Sequence, residues 1–301
     1  MMSGRLAFTV LGLVASAGTA YPSWTRMRAL QREGRQEWDA AGVRSGSAAF
    51  EVGSGGTAVL FVHGFASSPS IFRFMAPALA EQGYACRAMR LPGFAERLDR
   101  MQEVDEASWR DAVAAEVAAL RATHRQVWIV GHSLGGTLAL DYALEHPGQL
   151  EGLVLIAPLI KVSTRRSLGL PSQSLFRVAR RVLPADAILG TAFPVDLNAR
   201  GEGIDESRDR FLPIAMYDAM FRMTDRVRAR APELDLPVLM VLPGRDKVVS
   251  RRAARAYFEG LGSGRKQICH APRSGHVVPL DYDWNEVVRQ IDVFARAGDG
   301  T

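Results

Sequence analysis

Apolar positions along this chain alternate between two patterns. Short runs rich in branched residues recur between longer stretches in which apolar residues fall three and four apart. TAVLFVHG, from Thr57, reads as a buried strand ending on Gly64. Ser68 to Gln82 then reads as a helix, with Phe72, Met75 and Leu79 on one face and Gly83 as its stop. YACRAMRLPG is the next strand, and Trp109 to Arg121 the next helix, through Val113, Val117 and Leu120. QVWIVGHS is a strand, Leu134 to Leu144 a helix ended near Pro147, and LEGLVLIA (Leu150 to Ala157) a further strand.

Strands alternating with helices in this way predict the α/β class, a mostly parallel sheet with helices on both faces. The rhythm breaks at Pro158. From there to about Asp235 no strand pattern is visible, but helical spacing appears near Gln173–Val182 and Arg208–Arg230. It resumes with LPVLMVLPGRD, a helix from Arg251 to Leu261, the strand RKQICHA and a closing helix from Trp284 to Ala297. The expectation is one α/β core over residues 45–157 and 236–298, interrupted by a helical cap insertion over 158–235.

A length of 301 residues suits one such domain, and 48% hydrophobic with 23% charged residues excludes wholesale disorder. The net charge of +5 singles out no partner, and with no nucleic-acid motif in sight, nucleic acid is set aside. The positive charge is uneven: Lys161, Arg165, Arg166, Arg177, Arg180 and Arg181 follow one another without an acid. Cys86 and Cys269 lack metal-ligand spacing; two buried thiols and a single bridge both fit. Leu6 to Ala20 is uncharged and apolar, so residues 1–25 read as a signal or an anchor. Arg26, Arg28, Arg32 and Arg35 follow at once and favour an anchor over a cleaved signal, with a surface helix as the third reading. Membrane association through this segment, on a side left open and helped by the basic cap, is the resulting expectation.

The chemistry concentrates at strand ends. Gly131-His132-Ser133-Leu134-Gly135 lies where a strand meets a helix, the setting of a nucleophile elbow. Small residues two before and two after the serine let strand and helix approach, and the helix start behind Ser133 suits a developing oxyanion. His63-Gly64-Phe65 ends the first strong strand, beside the elbow, so the oxyanion hole is assigned to the N–H groups of Phe65 and Leu134, with His63 bracing the loop. Of six histidines, His276 sits on a loop after the last strand and is the expected base; His270 reads as structural, and His132 points away. Asp246, after the preceding strand, is the expected acid, with Asp281 and Asp283 as rivals that otherwise start the last helix.

LFVHGF, GYACRAMRLPG, GHSLGG, GRDKVV and SGHVVPLDYDWNEVVRQIDVF together resemble the α/β-hydrolase superfamily from about Thr57 to Ala297, the insertion excepted. The nearest branch is that of bacterial carboxylesterases and monoacylglycerol lipases. The resemblance implies an α/β-hydrolase fold and hydrolysis of monoacylglycerols or short acyl esters through Ser133, His276 and Asp246, with no metal and no organic cofactor. It implies a small-molecule or lipid ester as partner. In the cap, Phe176, Leu183, Phe193, Phe211, Met216, Met220, Phe221 and Met223 offer apolar surface for an acyl chain or for gluing cap to sheet. The alternatives are another acyl-bond hydrolase or transferase (a proline-iminopeptidase-like peptidase, a thioesterase, an acyltransferase) and a non-catalytic ligand receptor.

Overall fold

A computed structural model describes residues 20–166, 172–191, 195–199 and 208–297 of the chain. The apolar runs become the strands of one sheet. These are β1 (Phe50–Val52), β2 (Thr57–Val62), β3 (Tyr84–Met89), β4 (Gln126–His132) and β5 (Gly152–Ile156). Next in the chain come β6 (Ile188–Gly190) and β7 (Phe211–Pro213), which pair outside this sheet, and then β8 (Val238–Pro243) and β9 (Lys266–Ala271). The order across the seven-stranded sheet is β1-β3-β2-β4-β5-β8-β9. All neighbours run parallel except β1, which pairs antiparallel with β3.

Helices cover both faces. They are α1 (20–33 as described), α2 (Met75–Glu81), α3 (Leu98–Met101), α4 (Glu106–Arg121), α5 (Leu134–Glu145), α6 (Ser172–Val182), α7 (Ile214–Arg228), α8 (Arg251–Glu259) and α9 (Trp284–Arg296). Successive side chains of a strand point to opposite faces, so two cores form. Leu60, Val62, Ile129, Leu155 and Met240 pack with Trp109 and Val113 of α4 and Leu138 of α5. Val59, Phe61, Val130, Val154 and Val241 pack with Met75 and Leu79 of α2 and Ile291 and Phe294 of α9. Burial on both sides is why these strands show no polar alternation.

Several elements differ from the expectation, each for a local reason. The helix expected over Ser68–Gln82 is a 3-10 turn (Pro69–Phe72) followed by α2. Pro77 has no N–H to give back to residue 73 and its ring crowds that carbonyl, so the helix restarts at Met75. α4 begins at Glu106 because Asp105 and Ser108 close a capping box, Asp105 accepting the Ser108 N–H at 2.9 Å. Residues 158–235 hold strands after all: β6 and β7 form an antiparallel pair, and Pro213 ends β7 where α7 begins. Three-residue strands such as these and β1 are too short to show a period. Cys86 and Cys269 are free and buried, on β3 and β9, with β2, β4, β5 and β8 between them.

The expected N-terminal membrane attachment is corrected. Residues 6–19 of the apolar run lie outside the described residues, and the run is short against the roughly 20 residues a span needs. Among the described residues no helix is long and apolar enough to cross a membrane. α1 carries Arg26, Arg28 and Arg32 and is tied to the body: Glu33 accepts the Leu98 N–H at 2.8 Å, and Arg26 meets Asp186 at 3.3 Å. The basic run is partly spent inside the protein as well. Arg180 pairs with Asp218 at 2.7 Å and Arg177 with Asp225 at 3.9 Å, both acids on α7.

Candidate active site

Ser133 stands between β4 and α5 with φ 53° and ψ −115°, a backbone conformation that side chains rarely adopt. Its surroundings hold it there. The Ser133 N–H donates to the Ile156 carbonyl at 2.9 Å, and the Ser133 carbonyl accepts the Leu159 N–H at 3.1 Å. The flanking glycines leave no room for anything larger: a Cβ on Gly131 would lie 2.4 Å from the Gly135 carbonyl, and one on Gly135 2.0 Å from the Val62 carbonyl. On the other side, Gly64 is pressed against the elbow, its absent Cβ falling 3.0 Å from the Ser133 Cβ. The chain just after β2 therefore runs past Ser133, with Phe65 next in line. Leu134 is the first residue of α5, where an N–H has no partner within its own helix.

His63 braces that loop from within the core. Its Nδ1 donates to the Gly64 carbonyl at 2.9 Å, while Nε2 accepts the Leu91 N–H at 3.0 Å. Burial, aided by the charge of Arg90 and opposed by the Gly64 bond, lowers its pKa to about 4, so the ring is neutral.

Ser133, His276 and Asp246 come together although 143 and 30 residues separate the partners. His276 Nε2 lies 2.9 Å from Ser133 Oγ, and its Nδ1 lies 2.9 Å from Asp246 Oδ2. All three are buried. The other oxygen of Asp246 accepts the N–H groups of Val248 and Val249, at 2.7 and 2.9 Å. Burial alone would push the Asp246 carboxyl up. The His276 ring, the bond to it and those two N–H groups outweigh burial and hold the carboxyl below its usual range. The carboxylate is therefore ionised and aimed at one ring nitrogen, leaving the other turned to the serine.

The remaining candidates take supporting positions. His132 makes no contact with the Ser133 hydroxyl; its Nε2 donates to the His276 carbonyl at 3.0 Å, and burial plus the neighbouring His276 ring lower its pKa to about 3. His270 is exposed on β9. Asp281 accepts the N–H groups of Gly275, Ala199 and Asn198 at 2.7, 2.8 and 2.9 Å. Asp283 stands at the start of α9 but makes no cap; it accepts from Arg273 and Ser274, each at 2.8 Å. Both carboxylates shape the loop that carries His276. One residue escaped sequence reasoning: Asp196, buried, reaches the backbone of both Lys247 and His276. Nothing local marks it, since those partners lie 51 and 80 residues away.

A cavity of about 410 Å³ opens over Ser133. Phe65, Ile71, Leu159, Met220 and Leu280 line it with apolar surface, while Arg208, Lys247 and Asp196 contribute charge. Of the apolar residues expected in the insertion, Met220 faces this cavity. Met216, Phe221 and Met223 are buried in the core with α4 and α5, and Phe176 packs on Tyr217 and Phe221. Phe193 lies outside the described residues.

A mostly parallel sheet with a serine at its central strand-to-helix elbow, and a histidine and an aspartate on loops after later strands, defines an α/β-hydrolase. The chain belongs to the family described as serine aminopeptidase, S33, which matches residues 55–283. Over 260 residues it is 26% identical to a thermostable monoacylglycerol lipase of Bacillus sp. (strain H-257), covering 84% of this chain and 96% of that one. Over 248 residues it is 23% identical to a carboxylesterase of Bacillus subtilis (strain 168), covering 81% and 94%. It shares its fold with the crystal structure of a Paleococcus ferrophilus monoacylglycerol lipase, at a TM-score of 0.70 and 21% identity over 83% of this chain and 98% of that one. The chain is a carboxylic ester hydrolase, near the monoacylglycerol lipase and esterase branch of the superfamily.

Proposed function

We propose that the chain hydrolyses monoacylglycerol-like or short acyl esters through a covalent acyl-enzyme on Ser133. The Ser133 Oγ attacks the acyl carbonyl while His276 Nε2 takes its proton. Asp246 holds the imidazole in the required tautomer and stabilises the imidazolium that forms. The N–H groups of Phe65 and Leu134 receive the oxyanion. His276 then returns the proton to the leaving alcohol, and a water, activated by the same ring, releases the acid. Residues 158–235 serve as the cap over this site, and 45–157 with 236–298 as its catalytic body. The observation that carries the reading is the pair of 2.9 Å contacts that run from Ser133 through His276 to Asp246.

The apolar walls of the cavity, and the substrate in the name of the Bacillus lipase relative, support an acyl chain there. An aminopeptidase needs a carboxylate free to meet a substrate ammonium. Asp196 on the cavity wall is instead occupied by backbone N–H groups, and Arg208 and Lys247 add positive charge. Ester hydrolysis is therefore preferred over peptide hydrolysis. The test is a chain-length series of p-nitrophenyl esters and monoacylglycerols with the full chain. A burst of p-nitrophenol is expected, with Ser133→Ala slower by on the order of 10³-fold or more. Turnover of aminoacyl p-nitroanilides without turnover of any ester would overturn the reading.

A further inference from the structure

Asp196 belongs to the insertion, on the stretch 195–199 between β6 and β7, yet its contacts lie with the catalytic loops. Its Oδ2 accepts the Lys247 N–H at 2.7 Å and the His276 N–H at 3.2 Å. Its carbonyl accepts the Val277 N–H at 3.2 Å. Lys247 directly follows Asp246, so one carboxylate oxygen bridges the loop that carries the acid and the loop that carries the base. The Lys247 ammonium lies 4.0 Å from the other oxygen. Asp281 fastens the same stretch from the far side, taking the Asn198, Ala199 and Gly275 N–H groups. Packing there is tight: a Cβ on Gly275 would come within 2.7 Å of the Asp196 carbonyl.

A buried carboxylate is costly unless donors meet it, and an apolar residue would fill the same space without that cost. What the carboxylate supplies is a fixed point between two loops. His276 must meet Ser133 and Asp246 at hydrogen-bond distance at the same time, and the two loops belong to different strand ends. An ångström of drift between them is enough to lower a rate about 100-fold.

We propose that Asp196 is a positioning residue for ester hydrolysis, by which the insertion sets the spacing of the Asp246 and His276 loops. This rests on the Ser133–His276–Asp246 reading above. Asp196→Ala in the full chain is expected to lower kcat for a short-chain p-nitrophenyl ester by about 10- to 100-fold, with KM changed less than about threefold. Asp196→Asn keeps an acceptor oxygen for both N–H groups and is expected to restore most of kcat. Proton NMR of the bond between His276 and Asp246 supplies a second readout: its downfield signal broadens or vanishes in the alanine variant and persists in the asparagine one. Wild-type kcat with an unchanged signal in Asp196→Ala overturns the proposal, as does a loss confined to KM or an asparagine variant as slow as alanine. If Asp196→Ala fails to fold, the asparagine variant decides alone, by kcat and by the same signal. Ser133→Ala run in parallel separates the two questions. An active Ser133→Ala sinks the mechanism itself, whereas an inactive one beside a fully active Asp196→Ala sinks this proposal only.

Discussion

The elbow at Ser133 and the helix α6, between β5 and β6, are built on opposite terms. At the elbow, strand, helix and neighbouring loop approach so closely that Gly131 and Gly135 admit no Cβ, and backbone bonds hold a strained serine from both sides. α6 has no buried residue; Leu175, Val178 and Val182 are exposed, and side-chain pairs with α7 tie it down. One region is determined by contacts that any change disturbs, the other by contacts that change leaves nearly intact. On the proposed mechanism, the chemistry that needs reacting atoms fixed to fractions of an ångström sits in the first, and the second is left to vary.

Substitution at Gly135 breaks the elbow side of this contrast. Gly135→Ala drives a methyl into the Val62 and His63 backbone, and a loss of roughly 3 to 5 kcal/mol in urea unfolding is expected. A loss below about 1 kcal/mol would show the elbow to be far softer than described. Acid sharpens the same point. His63 and His132 are neutral when folded, with pKa values lowered to about 4 and about 3, but take up a proton near 6.5 once unfolded. Between those values the unfolded chain binds more protons, so stability is full above about pH 6.5 and falls as pH drops. His63 alone accounts for roughly 3 kcal/mol lost by pH 4. Thermal melts over that range should show the decline, with a shallower slope in His63→Asn. A flat profile would mean that the rings are protonated in the fold. On the α6 side the effect is small: Arg180→Ala removes a half-exposed pair with Asp218 and should cost less than about 1 kcal/mol in the same unfolding assay.

The same contrast governs what could be read in advance. The placement of Ser133 at a strand-to-helix turn was legible because its requirement is local: two glycines, a strand before and a helix after. His276 and Asp246 followed because a parallel sheet sends the loops after its strands to one edge. Asp196 was not legible, since its meaning lies in N–H groups 51 and 80 residues away. β1, β6 and β7 have three residues each, too few for a period. The break before α2 was written in Pro77, but the apolar spacing of Phe72, Met75 and Leu79 runs across it. The N-terminal apolar run misled for the opposite reason, since composition stood in for tertiary context, and Arg26, Arg28 and Arg32 after it belong to a helix tied to the body.

The pairing of β5 with β8 has a further consequence. Leu153 to Ile156 lie beside Val238 to Val241, so the chain leaves the sheet and re-enters it on adjacent strands. For the sheet, the stretch between is a detour, but one pinned where Met216, Phe221 and Met223 of α7 enter the core with α4 and α5. Doubling the length of a flexible detour costs only about 0.6 kcal/mol in closure entropy. The part that carries α6, which buries no residue, is thus the exchangeable one, open to longer, shorter or differently lined versions without redrawing the strands. On the proposal made for Asp196, the fold sets two conditions: any substitute has to keep the α7 face that packs on α4 and α5, and to hand an acceptor back to the N–H groups of Lys247 and His276.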